Sequence, residues 1–172
     1  MNTKVLVSLA LLAGMGAVLH VVIPGFFFGM KPDMMLTTMF LGIVLFPSKR
    51  AIGLLGITTG VISGITTSFP GGLLPNMLDK PIAALVFAAL FVLLKKYRES
   101  AVVVAALTVI GTLVSGVVFL LSALFLVGLP GSASFMGLFL AVVLPTAVIN
   151  SVAIGIMYPI VTAIFKHKNL TV

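Results

Sequence analysis

Long apolar runs alternate with short polar interruptions along this chain, and their lengths predict helices rather than strands. Six runs are legible, over residues 5–23, 34–46, 51–69, 81–94, 101–129 and 134–165. Four of them hold about 19 residues or more, enough at 1.5 Å per residue to cross a hydrocarbon core of about 30 Å. The second and fourth are short, at about 13 residues. Pro24-Gly25, Pro47-Ser48 and Pro130-Gly131-Ser132 punctuate the pattern, because Pro removes a backbone donor and Gly favours turns. Pro145 and Pro159 interrupt the sixth run, where a kink or break is expected near each. The predicted architecture is one all-α integral membrane domain, residues 1–172, with six transmembrane helices.

Pro70 to Pro81, PGGLLPNMLDKP, is too rich in Pro and Gly to read as plain helix. It is read as an outer loop, with Pro81 in the first turn of the fourth helix. Both short helices follow a charged outer segment, Gly25 to Asp33 in one case and Pro70 to Lys80 in the other. Loops that dip into a bilayer must line a protein cavity, so the two segments are expected to roof an outward-facing pocket.

Composition and charge sharpen this picture. The chain is 61% hydrophobic and 8% charged, with a mean hydropathy of +1.36, which excludes an ordinary water-soluble domain. Lys4, an apolar core and the small residues Gly14 to Ala17 imitate a signal peptide, but the run continues to Ile23 and reads as a retained span. A net charge of +7 would suggest nucleic acid in a soluble protein. Here the bases flank apolar runs: Lys4, Lys49, Arg50, Lys95, Lys96, Arg98, Lys166 and Lys168 all fall on the side of the termini. That asymmetry places both termini in the cytoplasm and leaves no nucleic-acid partner.

The absences exclude classes of function. There is no Cys, and His20 and His167 are far apart in sequence, so no metal cluster or cofactor site is expected. No phosphate loop, HExxH or Ser/His/Asp set is present, so the chain is not expected to be an enzyme or to hydrolyse nucleotide itself. No charge falls in the middle of any predicted span, which argues against a proton-coupled pump.

The candidate chemistry is at the outer surface. Lys31, Asp33, Asp79 and Lys80 supply two cations and two anions, which either neutralise the ends of a bound amino acid or form two local ion pairs. Asn150, deep in the last run, takes either a substrate hydrogen bond or an interhelical one. Met30, Met34, Met35, Met77 and Phe26 to Phe28 make either a polarizable wall for an aromatic ligand or plain apolar lining. Ala10, Ala13, Gly14 and Ala17 share one smooth face of the first helix, suited to another helix inside or outside the chain. Gly60, Ser63 and Gly64, and Ser115-Gly116, read as packing faces.

Six helices, the small-residue first helix and the missing ATPase motif resemble the substrate-binding S component of energy-coupling factor (ECF) transporters. GMKPDMM at Gly29 to Met35, FLGIVLFP at Phe40 to Pro47, FPGGLLPNMLDKP at Phe69 to Pro81, VVLPTAVIN ending at Asn150 and YPIV at Tyr158 to Val161 look more specifically like the bacterial tryptophan-transporter (TrpP) family of such components. The resemblance covers nearly the whole chain in the same order. It implies a multi-pass bacterial plasma-membrane protein that captures extracellular tryptophan and passes it inward, docked on a coupling membrane subunit with two cytoplasmic ATPases. An S component for another small aromatic or vitamin-like substrate, and a non-transport membrane assembly protein, are the alternatives. The resemblance also implies that Ala10, Ala13, Gly14 and Ala17 form the docking surface, although Gly14 stands where a strict alanine ladder has Ala. Met30, Lys31, Asp33, Met34, Asn76, Asp79, Lys80 and Asn150 become the expected ligand contacts, with Asn76 or Asn150 accepting the indole N–H.

Overall fold

The computed structural model describes residues 1–24, 31–97 and 100–167, and every regular element among them is helical. In chain order these are α1 (Thr3–Val22), α2 (Met34–Leu45), α3 (Lys49–Ile65), α4 (Leu73–Leu93), a 3-10 turn (Lys95–Tyr97) and α5 (Ala101–Leu126). A short α6 (Phe135–Leu138), a π-helical turn (Phe139–Val143) and α7 (Leu144–His167) then join into one rod. Asn2, Asp33 and Ser48 start α1, α2 and α3 by accepting backbone N–H bonds from Lys4, Leu36 and Ala51. Four rods, α1, α4, α5 and Phe135–Phe165, are long and apolar enough to cross a membrane.

The pairing register shows that neighbouring rods run antiparallel. Gly16 meets Thr38, and His20 faces Asp33. Gly56 lies on Pro81, Gly60 on Asn76 and Gly64 on Leu73. Ser115 reaches Asp79 while Gly111 touches Phe87, and Gly116 meets Val143 while Thr112 meets Asn150. Phe46 packs on Phe165 at 5.8 Å, and Met1 and Val5 line a cavity with Phe46, so both ends of the described chain lie at one end of the bundle.

The second apolar run is short, as expected, and its surroundings explain why. All residues of α2 except Val44 are buried, so this helix is a central pin wrapped by the others and need not match the bilayer thickness. Its Phe40 stacks on Phe87 at 4.1 Å with ring planes 7° apart. Gly111 leaves the space that the Phe40 ring occupies.

The fourth run is not short. Helix α4 begins at Leu73, eight residues before the expected Pro81, and spans 21 residues. The prolines permit this for different reasons. Pro75 stands in the first turn, where an N–H would have no intrahelical acceptor, and the turn before it is made by Gly71 at φ +70° and Gly72 at the N-cap. Pro81 is internal and forfeits one helical hydrogen bond, but it is held against Gly56 of α3, where even a Cβ would come within 3.1 Å of its Cα. Asn76, Asp79 and Lys80 therefore belong to a helix rather than to an outer loop. Of the expected disturbances in the last run, a π turn precedes Pro145, whereas α7 continues through Pro159 without a break.

Gly56, Gly60 and Gly64 form the stripe on which α4 rests. A Cβ on Gly60 would lie 3.1 Å from the Asn76 carbonyl oxygen and 3.3 Å from the Met77 Cα, both backbone atoms that cannot turn aside. Gly60→Val should cost about 1–3 kcal/mol of stability by overpacking, read as a lowered thermal midpoint in detergent. An unchanged midpoint would show that α3 and α4 do not need this approach.

Candidate functional site

The α3–α4 contact carries Asp79 and Lys80 into the protein, where their side chains are 1% and 2% exposed. Lys80 is the centre of the site. Its Nζ lies 2.7 Å from Asp33 Oδ2, 2.8 Å from Asp79 Oδ2 and 3.3 Å from Asn76 Oδ1. The expected local pairs are thereby corrected: Lys80 bridges two acids from different elements, and among the described residues Lys31 pairs with no acid. The physical reason is the helical placement of Lys80, which turns its stem inward under Asp33 instead of leaving it in a loop.

The remaining valences are unequally filled. Asp33 is saturated: Oδ2 receives Lys80, and Oδ1 accepts the Leu36 N–H at 3.0 Å as the cap of α2 and faces His20 Nδ1 at 3.6 Å. Loss of solvent would raise its carboxyl, but the Lys80 ammonium, with the Lys80 and Leu36 hydrogen bonds, holds it below the usual carboxylate range. Asp79 Oδ2 receives both Lys80 and the Ser115 hydroxyl of α5. Asp79 Oδ1, fully buried, has no partner among the described residues, an arrangement that costs free energy until a donor arrives.

A partly open pocket of about 70 Å³ is lined by Asp79. Lys31, Asp33, Asn76, Asp79 and Lys80 line it, and so do His20, Thr67, Thr112, Ser115 and Thr146. Its apolar wall includes Phe69 and Phe119, which meet edge to face at 5.2 Å and 79°. Lys31 is half-buried at the rim, where partial burial lowers its ammonium from the usual lysine range against the pull of Asp33.

Other expected contacts lie elsewhere. Met34 and Met35 are buried in the packing of α2 and Met77 is exposed, and none of the three lines the cavity; among the described residues its aromatic wall is Phe69 and Phe119. Met30 and Phe26 to Phe28 lie outside the described residues. Asn150 does not line the cavity; its Nδ2 donates to Thr112 Oγ1 at 3.4 Å between α7 and α5, while its buried Oδ1 has no partner among the described residues. Asn76 lines the cavity but spends its amide on the Gly72 carbonyl at 2.7 Å and its oxygen on Lys80. The expectation of no charge within a span is also corrected, since Asp79 and Lys80 lie inside α4; ionisable groups so placed are costly and mark functional sites.

Sequence reasoning missed His20 and Ser115. His20 looked solitary because its partner is thirteen residues away across a turn, and Ser115-Gly116 looked like packing. A signal was present for α4: Asn76, Asp79/Lys80, Ala83/Ala84 and Phe87 recur at helical spacing, which places the polar residues on the buried stripe. On α1, Ala13 is buried, Ala17 half-buried, and Ala10 and Gly14 exposed. A Cβ on Gly14 would meet nothing within 4 Å.

Residues 2–166 match the family described as tryptophan transporter TrpP. A Bacillus subtilis protein named "Probable tryptophan transport protein" is 53% identical over 169 residues, covering 98% of this chain and 96% of that protein. Proteins of the same name from Clostridium acetobutylicum and Clostridium perfringens are 40% and 36% identical, covering 92% and 98% of this chain and 91% and 97% of their own lengths. No solved structure matches the chain. The end-to-end agreement with both the family and these proteins means that the chain belongs to the tryptophan transporter TrpP family.

Proposed function

We propose that this chain captures tryptophan in the cavity between α1, α2, α4, α5 and α7, and that it serves as the S component of an ECF-type importer. The unpartnered Asp79 Oδ1 carries the reading. An ammonium group is the natural occupant of a buried anionic acceptor, and Lys31 at the rim supplies the cation for a carboxylate. Lys31, Asp33, Asp79 and Lys80 sum to zero charge, so a zwitterion enters without leaving an uncompensated ion. Phe69 and Phe119 flank the indole. The pocket is partly open, and its volume of about 70 Å³ is below the roughly 300–1,000 Å³ of ligand sites, so these side chains must part to admit the ligand.

For coupling, the reading draws on the exposed small-residue positions Ala10 and Gly14 on α1, with the half-buried Ala17 beside them; Ala13, expected on the same face, is buried inside the chain instead. Ala10, Gly14 and Ala17 form the docking surface for a coupling membrane subunit, which carries two cytoplasmic ATPases because this chain has no nucleotide motif. Six spans with both ends in the cytoplasm of a bacterial plasma membrane follow from the basic residues near the termini.

The chain contains no Trp and only two Tyr, so indole fluorescence reports the ligand alone. Purified chain titrated with tryptophan should give a saturable, blue-shifted emission, displaced by indole analogues and not by leucine. Uptake in vesicles should require the coupling module and ATP. Emission identical to free tryptophan, in protein shown to be folded, would reject the reading.

A further inference from the structure

His20 is a polar group of the cavity wall for which the binding scheme above has no use. It is 5% exposed, and among the described residues neither ring nitrogen has a hydrogen-bond partner. A buried imidazole left in that condition is destabilising unless something donates to it or accepts from it. Its position is imposed by packing: Gly16, one turn earlier, lets α1 approach Thr38 and Met35 of α2 so closely that a Cβ would collide. This brings the last turn of α1 over the Asp33 cap.

Asp33 Oδ1 faces Nδ1 at 3.6 Å. A carboxylate there favours the ring proton on Nδ1, which leaves the Nε2 lone pair bare. The neighbouring side-chain acceptors that line the cavity are largely committed, and the unpaired Asn150 oxygen does not line it. The Asn76 oxygen takes Lys80, the Thr112 oxygen takes Asn150, and Thr67 Oγ1 takes the Phe69 N–H. Thr146 offers a hydroxyl, which serves donors and acceptors alike; an imidazole with its proton fixed only accepts at Nε2. Once the ammonium is at Asp79 and the carboxylate at Lys31, the one donor left on tryptophan is the indole N–H.

Resting on the tryptophan reading, we infer that His20 Nε2 accepts the indole N–H and makes the pocket select indole over isosteric rings without that donor. The imidazole is then a specificity-determining residue. A ligand that fills the same volume but lacks the N–H leaves a buried acceptor unpaired, and such a mismatch discriminates more strongly than a small change of shape.

The test compares L-tryptophan with 3-(3-benzothienyl)-L-alanine, in which sulfur replaces the N–H, by calorimetric titration of the full chain in detergent. The wild type should bind tryptophan at least about tenfold more tightly. In His20→Phe the benzothienyl ligand should bind within about threefold of its wild-type affinity while the preference for tryptophan vanishes, and His20→Gln, with an amide acceptor, should recover part of it. A tenfold preference persisting in His20→Phe, equal binding of the two ligands by the wild type, or equal loss of both by a His20→Phe variant with unchanged thermal unfolding would each overturn the inference. Tryptophan binding without discrimination removes only the role of His20. Failure of the wild type to bind tryptophan at all removes the pocket reading as well.

Discussion

Asp79→Asn should weaken tryptophan binding by at least about a hundredfold while leaving the protein folded. The substitution keeps the shape of the side chain and an acceptor for the Ser115 hydroxyl, and Lys80 retains Asp33. It removes the negative charge beside the one buried carboxylate oxygen that has no internal partner among the described residues. Truncating one side of a buried, charge-assisted contact costs about 2–5 kcal/mol, and about 2.7 kcal/mol corresponds to a hundredfold at room temperature. Calorimetric titration of the purified variant measures the change, with thermal unfolding as the control. Affinity within threefold of wild type would mean that the ammonium binds elsewhere and that Asp79 only anchors Lys80.

Lys80→Met should be the most destabilising of the single substitutions in the site. It preserves the apolar stem of the side chain but leaves the Asp33 and Asp79 carboxylates facing each other without the cation that now lies 2.7 and 2.8 Å from them. Breaking a buried ion pair from one side typically costs about 3–5 kcal/mol, whereas replacing all of its members with neutral groups is close to neutral. The triple variant Lys80→Met, Asp33→Asn, Asp79→Asn is accordingly expected to recover much of the thermal stability and none of the tryptophan binding. That combination separates the structural work of the charges from their role toward the ligand. A single variant as stable as wild type would show that the two acids do not both carry charge in the folded protein.

How far the sequence revealed this site depended on which kind of information each residue needed. Run lengths located α1, α2 and α5 to within a few residues, because polar residues at Asn2, Asp33 and Ser100 interrupt the apolar pattern where these helices begin. The start of α4 was misread because the Pro- and Gly-rich stretch containing Pro75 was taken as a loop and Pro81 as a first-turn proline, although Pro75 holds that place and Pro81 is internal. Asp79 and Lys80 were recognised as important, yet their partners were not. The bridge from Lys80 to Asp33, the Ser115 hydroxyl and the approach of His20 are all long-range consequences of glycine-mediated helix packing. Periodicity encodes which face of a helix is buried but not which neighbour will meet it. The aromatic wall seen among the described residues has the same origin in part: Phe69 opens the charged motif itself, whereas Phe119 is remote in sequence and joins it only through the bundle.

The bridging position of Lys80 has a consequence for ions rather than for tryptophan. A sodium, potassium or ammonium ion that sought the two acids would have to displace an amine tethered to the same helix, which acts as a competitor at high effective concentration and cannot diffuse away. The two acids are thus already neutralised where they would be most attractive to inorganic cations. Only the outlying oxygen of Asp79 remains on offer, beside a cationic rim that repels a bare cation and welcomes one that brings its own carboxylate. On the proposed reading, the tethered lysine would make the site deaf to the salt of its surroundings while keeping it open to a zwitterion.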